Sequence, residues 1–403
     1  MTTDLRSAAA RRNDLLAKRL DTLVPSLLEE SGIDAWVIIG REYAEGPVLR
    51  SMLPAEWLSA RRTTMLVLTS TERFAVARYP VGDLFPSAWD PQITPNQWDR
   101  LAELLGQLDP GSIAIERSPH QAHADGLTST LHMALKNAMP AALEDRLVSG
   151  DEIGIRWLET RLPEERHTLA EATRLAHRIL REGLSAKIVN AGETTTDDLV
   201  WWYRQTVKDA GLASWFQPSV TLQRCGADTT QVIQPGDLIH VDFGIVHDDM
   251  CTDQQEHAYV LRPGESQPPR GLVEGMHAAN RAQDILMGEF ATDRSGNEIL
   301  ASALAACRDQ ELAATIYTHS IGLQGHGAGM TIGMWDQQGG VPGAGDHTLH
   351  PDTAYSIELM VESRVAEWGG QQVRFMVEQD AWFDGDSVSW LDGRQTALHL
   401  IPS

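Results

Sequence analysis

Asp242 and Asp253 stand eleven residues apart, the first inside the strand-like run Leu238-Ile-His-Val-Asp-Phe-Gly244 and the second just ahead of an extended run from Gln254 to Leu261. The segment His319-Ser-Ile-Gly-Leu-Gln-Gly-His326 follows, and Glu358 and Glu378 each lie within a further strand-like run. Among 56 acidic residues, a single aspartate is ordinarily a solvated surface group. A carboxylate inside an apolar strand is different, because burial requires that it be paired or bind a cation. Jointly, four carboxylates and an imidazole supply enough ligand atoms to bridge two divalent cations about 3.5–4 Å apart. Mixed oxygen and imidazole ligation suits manganese, zinc, cobalt or iron better than calcium or magnesium. Metal-assisted hydrolysis is the chemistry such a set can perform.

The elements that must position these groups follow from period-two alternation. It places Ile239, Val241 and Phe243 on one strand face and His240, Asp242 and Gly244 on the other. The residues between the two aspartates allow the strands to fold back antiparallel, with both carboxylates at one end. Glu358 shares a face with Ser356 and Met360, and Glu378 with Arg374 and Met376. An ion pair with Arg374 is the plain structural alternative for Glu378; otherwise Arg374 is a substrate-binding candidate. His247, beside Asp248 and Asp249 in the hairpin, is either an ordinary turn histidine or an imidazole facing substrate.

The first 150 residues read as an α/β unit. Leu15, Leu16, Leu20, Leu23 and Leu27 recur at helical spacing, and short apolar runs at 35–39, 64–68, 74–79 and 113–116 alternate with a helix over about 95–108. This half contains no phosphate loop, ligand spacing or nucleophile elbow, and an assembly role is expected for it. The character changes near 155–162, where the domain boundary is placed. Pro163 with Glu164 and Glu165 begins a long helix over 163–189, and Thr195 to Asp198 caps another. Two helices are expected at about 272–288 and 295–313. Residues 336–347 hold four glycines in twelve positions and form a loop, either a surface turn or a segment covering substrate.

Length sets the prior at two or three domains. With 33 basic against 56 acidic residues, the net charge of −23 disfavours nucleic acid and anionic membranes. Three cysteines without a CxxC pair fit a reducing compartment. No apolar run reaches the ~18 residues needed to span a bilayer, and the N-terminus lacks a signal-peptide layout. A cytoplasmic location is expected.

The C-terminal ~240 residues resemble the pita-bread metallopeptidases, and the whole layout resembles their aminopeptidase P, prolidase and creatinase branch. That family's two aspartates, metal histidine and two glutamates fall here on Asp242, Asp253, His319, Glu358 and Glu378. Its H-x-x-G-L-x-x-H segment is matched by His319, Gly322, Leu323 and His326. There are departures. The stretch Val220–Thr230 has no histidine where the family has one facing substrate. Asp253-Gln-Gln-Glu256 replaces Thr-Arg after the second aspartate, which puts an acidic Glu256 near the expected pocket. In Val373-Arg-Phe-Met-Val-Glu378 the arginine stands four residues before the glutamate instead of two.

The resemblance implies an N-terminal creatinase-like α/β domain over 1–160 and a pita-bread catalytic domain over 161–403. It implies two divalent cations, manganese first with zinc, cobalt and iron open, and a hydroxide between them as nucleophile. Glu358 would be the general base, and His326 would stabilise the oxyanion or donate to the leaving group. The activity implied is that of an Xaa-Pro aminopeptidase or Xaa-Pro dipeptidase. The alternative is a small-molecule hydrolase or lyase on the same scaffold, since this fold also carries creatinase and a lyase acting on dimethylsulfoniopropionate. A homodimer is the assembly the family's habit suggests.

Overall fold

The apolar stripe expected near the N-terminus forms α1 (Leu5–Ser31), burying Leu16, Leu20, Val24 and Leu27. Asp4 caps its start by accepting the Arg6 N–H, and Gly32 ends it at a φ of +64°. In this computed structural model, which describes residues 4–226 and 231–403, the chain falls into two units, Met1–Leu158 and Glu159–Ser403. The first continues through β1 (Ala35–Arg41), α2 (Pro47–Ser51), β2 (Thr63–Leu68), β3 (Arg73–Ala77), α3 (Gln97–Leu108), β4 (Ile113–Ile115), α4 (Ser129–Ala138), α5 (Ala141–Glu144) and β5 (Leu147–Ser149). It closes with α6 (Asp151–Glu159), whose last residue opens the second unit. The sheet order is β3-β2-β1-β4-β5, antiparallel at β1/β2 and parallel at β1/β4. Val37, Ile39, Val67, Ile113 and Ile115 meet Leu101, Leu105 and Leu131 across one core. Burying each such side chain contributes roughly 1.5–3 kcal/mol before entropy is counted.

The second unit begins with α7 (Pro163–Gly183), where Pro163 leads and the Glu165 carboxylate accepts the Leu162 N–H. The helix ends six residues before the expected 189. At Gly183 a Cβ would lie 2.4 Å from the Tyr203 ring of α8 (Thr196–Asp209), so the two helices meet where the first one stops. Thr195 and Asp198 form the reciprocal cap of α8, as their spacing indicates. Next come β6 (Ser219–Gln223), β7 (Leu238–Phe243), β8 (Val246–His247), β9 (Met250–Cys251) and β10 (Gln254–Val260). The helices α9 (Arg270–Gly288) and α10 (Gly296–Asp309) follow. The chain then runs through β11 (Ala313–Ile316), β12 (Thr318–Ser320), β13 (Thr331–Ile332), β14 (Thr353–Ser356) and β15 (Leu359–Val365). It ends with β16 (Gln371–Val377), β17 (Asp380–Phe383), β18 (Val388–Trp390) and β19 (His399–Ile401).

Among the described residues this unit has sheets ordered β19-β10-β7-β6, β11-β15-β16 and β13-β12-β14-β17-β18, with the two-stranded ribbon β8-β9 beside them. Apart from β10/β19, the pairings are antiparallel. The helices α9 and α10 cover one side through Leu272, Met276, Ala279 and Ile299, packed with Leu359, Val361 and Phe375. The cysteines Cys225, Cys251 and Cys307 are free. Among the described residues, no helix is long and apolar enough to cross a membrane. Residues 227–230, which end the stretch noted for its lack of histidine, lie outside the described residues.

Candidate metal centre

The two aspartates are placed by one hairpin stem. Asp242 is near the end of β7, and Asp253 directly precedes β10, with β8 and β9 forming the tip. Asp248 and Asp249 turn that tip with φ of 46° and 64°, a conformation short polar side chains tolerate. His319 is the middle residue of β12 and pairs with Ser356 of β14. Glu358 and Glu378 occupy breaks, a departure from the expected strand interiors: Glu358 separates β14 from β15, and Glu378 separates β16 from β17. The physical reason is that the chain passes from one sheet to another at both points, and strand breaks of this kind re-aim a side chain. The breaks face each other, because Leu359 pairs with Val377 on one side and the Ile357 N–H donates to the Gln379 carbonyl on the other.

Register then explains the assembly. Asp242 is opposite Gln255, Gln255 is bridged to Glu378, and Glu378 is opposite Glu358, so one row crosses the sheet boundary. Directly opposed antiparallel residues share a face. His319 Nε2 lies 3.5 Å from Glu378, 3.8 Å from Asp253 and 3.8 Å from Glu358. Its other nitrogen, Nδ1, is 3.0 Å from the Ser320 carbonyl, which fixes Nδ1 as the protonated one and leaves the Nε2 lone pair facing the carboxylates. Ligand atoms of Asp242, Asp253 and Glu378 lie within 4.8 Å of one another, as do those of His319, Glu358 and Glu378. The two sets share Glu378.

Burial and mutual repulsion push the carboxyls of Asp242, Asp253 and Glu358 well above the usual range. Burial is the larger cause for each, followed by the Glu378 charge. His319 Nε2 and one Asp253 oxygen are buried without a hydrogen-bond partner. Orphaned buried ligand atoms amid converging carboxylates fit divalent cations.

Several groups here were not singled out from the sequence. Gln255 donates from Nε2 to Glu358 at 2.5 Å and to Glu378 at 2.7 Å, while its Oε1 accepts from His240 Nε2 at 2.9 Å. Buried Asp380 accepts from Gln254 at 2.5 Å and from Thr173 at 3.1 Å. Ser356 donates to Glu378 at 2.7 Å. Alternation counted from Asp253 and from Glu378 carries the signal for Gln255 and Asp380, each two residues on.

The same alternation corrects the expectation for Glu256. Its side chain is fully buried on the other face of β10, 2.5 Å from His399 Nε2 and 3.7 Å from Arg181 of α7. It therefore offers no acidic group to a pocket at the carboxylate row. His326 is exposed, with its ring 4.7 Å from His319 and edge-on to Trp215 at 5.3 Å. A nitrogen of His326 also lies within ligand distance of Asp253 and His319. Trp215 packs so closely that a Cβ on Gly325 would lie 2.3 Å from its indole, and its Nε1 donates to the Thr252 carbonyl at 2.9 Å. Arg374 is mostly exposed and pairs with Glu362 at 3.5 Å; it does not form the considered ion pair with Glu378. His247 is half-buried on the β8–β9 hairpin, outside the groups gathered around His319. The loop 336–347 is tied to α10, where Asn297 accepts the Val341 N–H at 2.7 Å and donates to Asp346 at 2.8 Å.

An α/β unit followed by helices on mostly antiparallel sheets, with paired aspartates, a histidine and paired glutamates at the strand ends, is the pita-bread type of metalloprotein. The model of metallopeptidase family M24 matches residues 167–378, and the chain belongs to that family. Among solved structures, the chain is similar to an X-Pro aminopeptidase from Thermotoga maritima, with a TM-score of 0.64 and 15% identity over 92% of this chain and 98% of that one. A dipeptidase from Pyrococcus horikoshii gives 0.63 and 19% over 95% and 99%. The N-terminal domain of the FACT complex subunit SPT16 from chickpea gives 0.62 and 12% over 96% and 98%. No curated protein matches the sequence.

Proposed function

We propose that this protein is a metal-dependent exopeptidase acting at Xaa-Pro bonds, as an aminopeptidase or a dipeptidase. The observation that carries the proposal is the buried His319 Nε2, which has no hydrogen-bond partner and lies within 3.8 Å of three carboxylates. Asp242, Asp253 and Glu378 would hold one cation and His319, Glu358 and Glu378 the other, with manganese the first candidate. Bound there, such cations lower the pKa of water enough to furnish a nucleophile near neutrality.

The chain's own groups do the rest. Glu358, whose carboxylate stands 3.8 Å from His319 Nε2 at the edge of the row, takes the proton from the attacking water. His326, exposed beside His319, donates to the oxygen that becomes negative as the scissile carbonyl turns tetrahedral. Trp215 gives an apolar wall next to that imidazole, suited to a proline ring. Arg374 would meet only the far end of a longer peptide. At about 3.3 Å per residue, its backbone stands about 13 Å along the strand from Glu378.

A small-molecule hydrolase or lyase is the second reading. It is favoured by Gln255, which departs from the Thr-Arg of the resembling enzymes and donates directly to Glu358 and Glu378 in the carboxylate row. Both are tested by release of the N-terminal residue from a panel of Xaa-Pro dipeptides and tripeptides with the manganese-loaded protein. Release that is lost in Glu378→Ala supports the peptidase. No release from any Xaa-Pro peptide, with two metals bound, overturns it in favour of the second reading. A homodimer belongs to the same proposal, and sedimentation of a 44.4 kDa species would refute it.

A further inference from the structure

The second unit brings together another set of ligand side chains outside the carboxylate row. Glu159, His347 and His350 each offer one atom, and the three atoms lie within 4.8 Å of one another. Glu159 ends α6, while the histidines stand three residues apart where the Gly-rich loop gives way to the approach to β14. His347 Nε2 is 3.1 Å from Glu159 Oε1. In a tetrahedron with bonds of about 2.05 Å, the usual length for zinc with nitrogen and oxygen, the edges are about 3.3 Å. The His347 and His350 rings are 5.3 Å apart, inclined at 67°.

The surroundings are closed. Glu159 is 4% exposed and both histidines are half-buried. Gly329, at a φ of +127°, packs so tightly on the carboxylate that a Cβ there would lie 2.5 Å from Glu159 Oε2. Fully buried Tyr355 lies near enough for the Glu159 charge to add to the rise of its phenol pKa that burial causes. A carboxylate in such a place needs a cationic or hydrogen-bonding counterpart. One imidazole would suffice for a simple pair, yet the fold converges two.

We propose that Glu159, His347 and His350 form an additional divalent-cation site of the zinc class, separate from the centre built on Asp242, Asp253 and Glu378. Two neutral imidazoles and one carboxylate, with water in the fourth position, are a donor set that zinc accepts. The ion would fasten the end of the 336–347 loop to residue 159, while Asn297 holds the same loop to α10 on its other flank.

The test is zinc content and affinity by equilibrium dialysis with elemental analysis on the full chain. The double variant His347→Asn/His350→Asn should hold one zinc fewer per chain than wild type. With cobalt in place of zinc, the visible absorption of a tetrahedral site should vanish in the double variant and persist in Glu378→Ala. That contrast separates this site from the other centre. His350→Gln leaves the Glu159–His347 contact in place, so folding is preserved. It should weaken zinc at this site by at least about 10-fold, the scale on which altering a metal-site partner lowers affinity. Unchanged zinc content and affinity in His350→Gln overturns the site and leaves an ordinary carboxylate–imidazole pair.

Discussion

Gln255 is the side chain whose removal most directly probes how the carboxylate row is held. Its amide nitrogen donates to Glu358 at 2.5 Å and to Glu378 at 2.7 Å, one hydrogen to each. His240 keeps that nitrogen facing them by donating from Nε2 to the amide oxygen at 2.9 Å. Burial holds the His240 pKa down at about 4, so the imidazole is neutral in ordinary assay conditions and keeps a single ring proton for this bond. Gln255→Leu has a similar volume and leaves both glutamates without this donor. A hydrogen bond to a charged group contributes about 1.5–3 kcal/mol, and the lost partners of metal ligands lower metal affinity by about 10–100-fold. Affinity for manganese should therefore fall by that factor, measured by competition with a chelator at fixed pH, with the thermal midpoint confirming that the fold survives. His240→Phe should give a smaller loss in the same direction, because the amide remains but is free to turn its oxygen towards the carboxylates. An affinity within twofold of wild type for Gln255→Leu would refute this account of the row.

His326→Ala should lower kcat by about 10²–10⁴, the scale of acid–base and oxyanion groups, with metal content unchanged. Metal loss would make it a ligand, since it lies within reach of Asp253 and His319. In the first unit, Glu116 is 2% exposed with both oxygens lacking a partner, and burial pushes its carboxyl from an ordinary 4.5 up to about 8. The unfolded chain releases that proton near pH 4.5 and the folded chain only near 8, so stability present below 4.5 is lost as pH rises between them. The full difference corresponds to roughly 5 kcal/mol. Glu116→Gln should flatten this slope and raise the urea midpoint at pH 9, whereas an unchanged midpoint there means that the carboxylate finds solvent.

Local signals carried well from sequence to structure, and pairing signals did not. Pro163 marks the start of α7 by its fixed φ, and Leu162 with Glu165, like Thr195 with Asp198, closes a cap between residues three apart. The Asp242–Asp253 hairpin is legible for the same reason, its two strands being close in the chain. The row across β7, β10 and the two strand breaks is set by register between distant segments, and no local pattern states which residue faces which. Glu358 reads as a strand interior because apolar residues flank it on both sides, and Glu378 because the alternation of Val373, Phe375 and Val377 leads up to it. What interrupts them is a change of sheet. Gln255 and Glu256 show a legible signal passed over: counting by twos from Asp253 turns the first towards the carboxylates and the second towards α7.

The opposition of Glu358 and Glu378 has a consequence for how this chain can vary. They stand at the base of a hairpin whose arms, Leu359–Val365 and Gln371–Val377, pair residue for residue. Growth or trimming at the tip, Ala366 to Gly370, changes the count between the two glutamates without altering which of them faces which. An odd insertion within a single arm is different, since it reverses every side chain between itself and the base. The interval between the glutamates is thus a poor signature for recognising relatives, and equality of the two arms is a better one. An insertion beside the exposed Gly369 keeps the ligand row in register and leaves in place Trp368, buried in the core under α9, and Glu367, which accepts the Gly271 N–H.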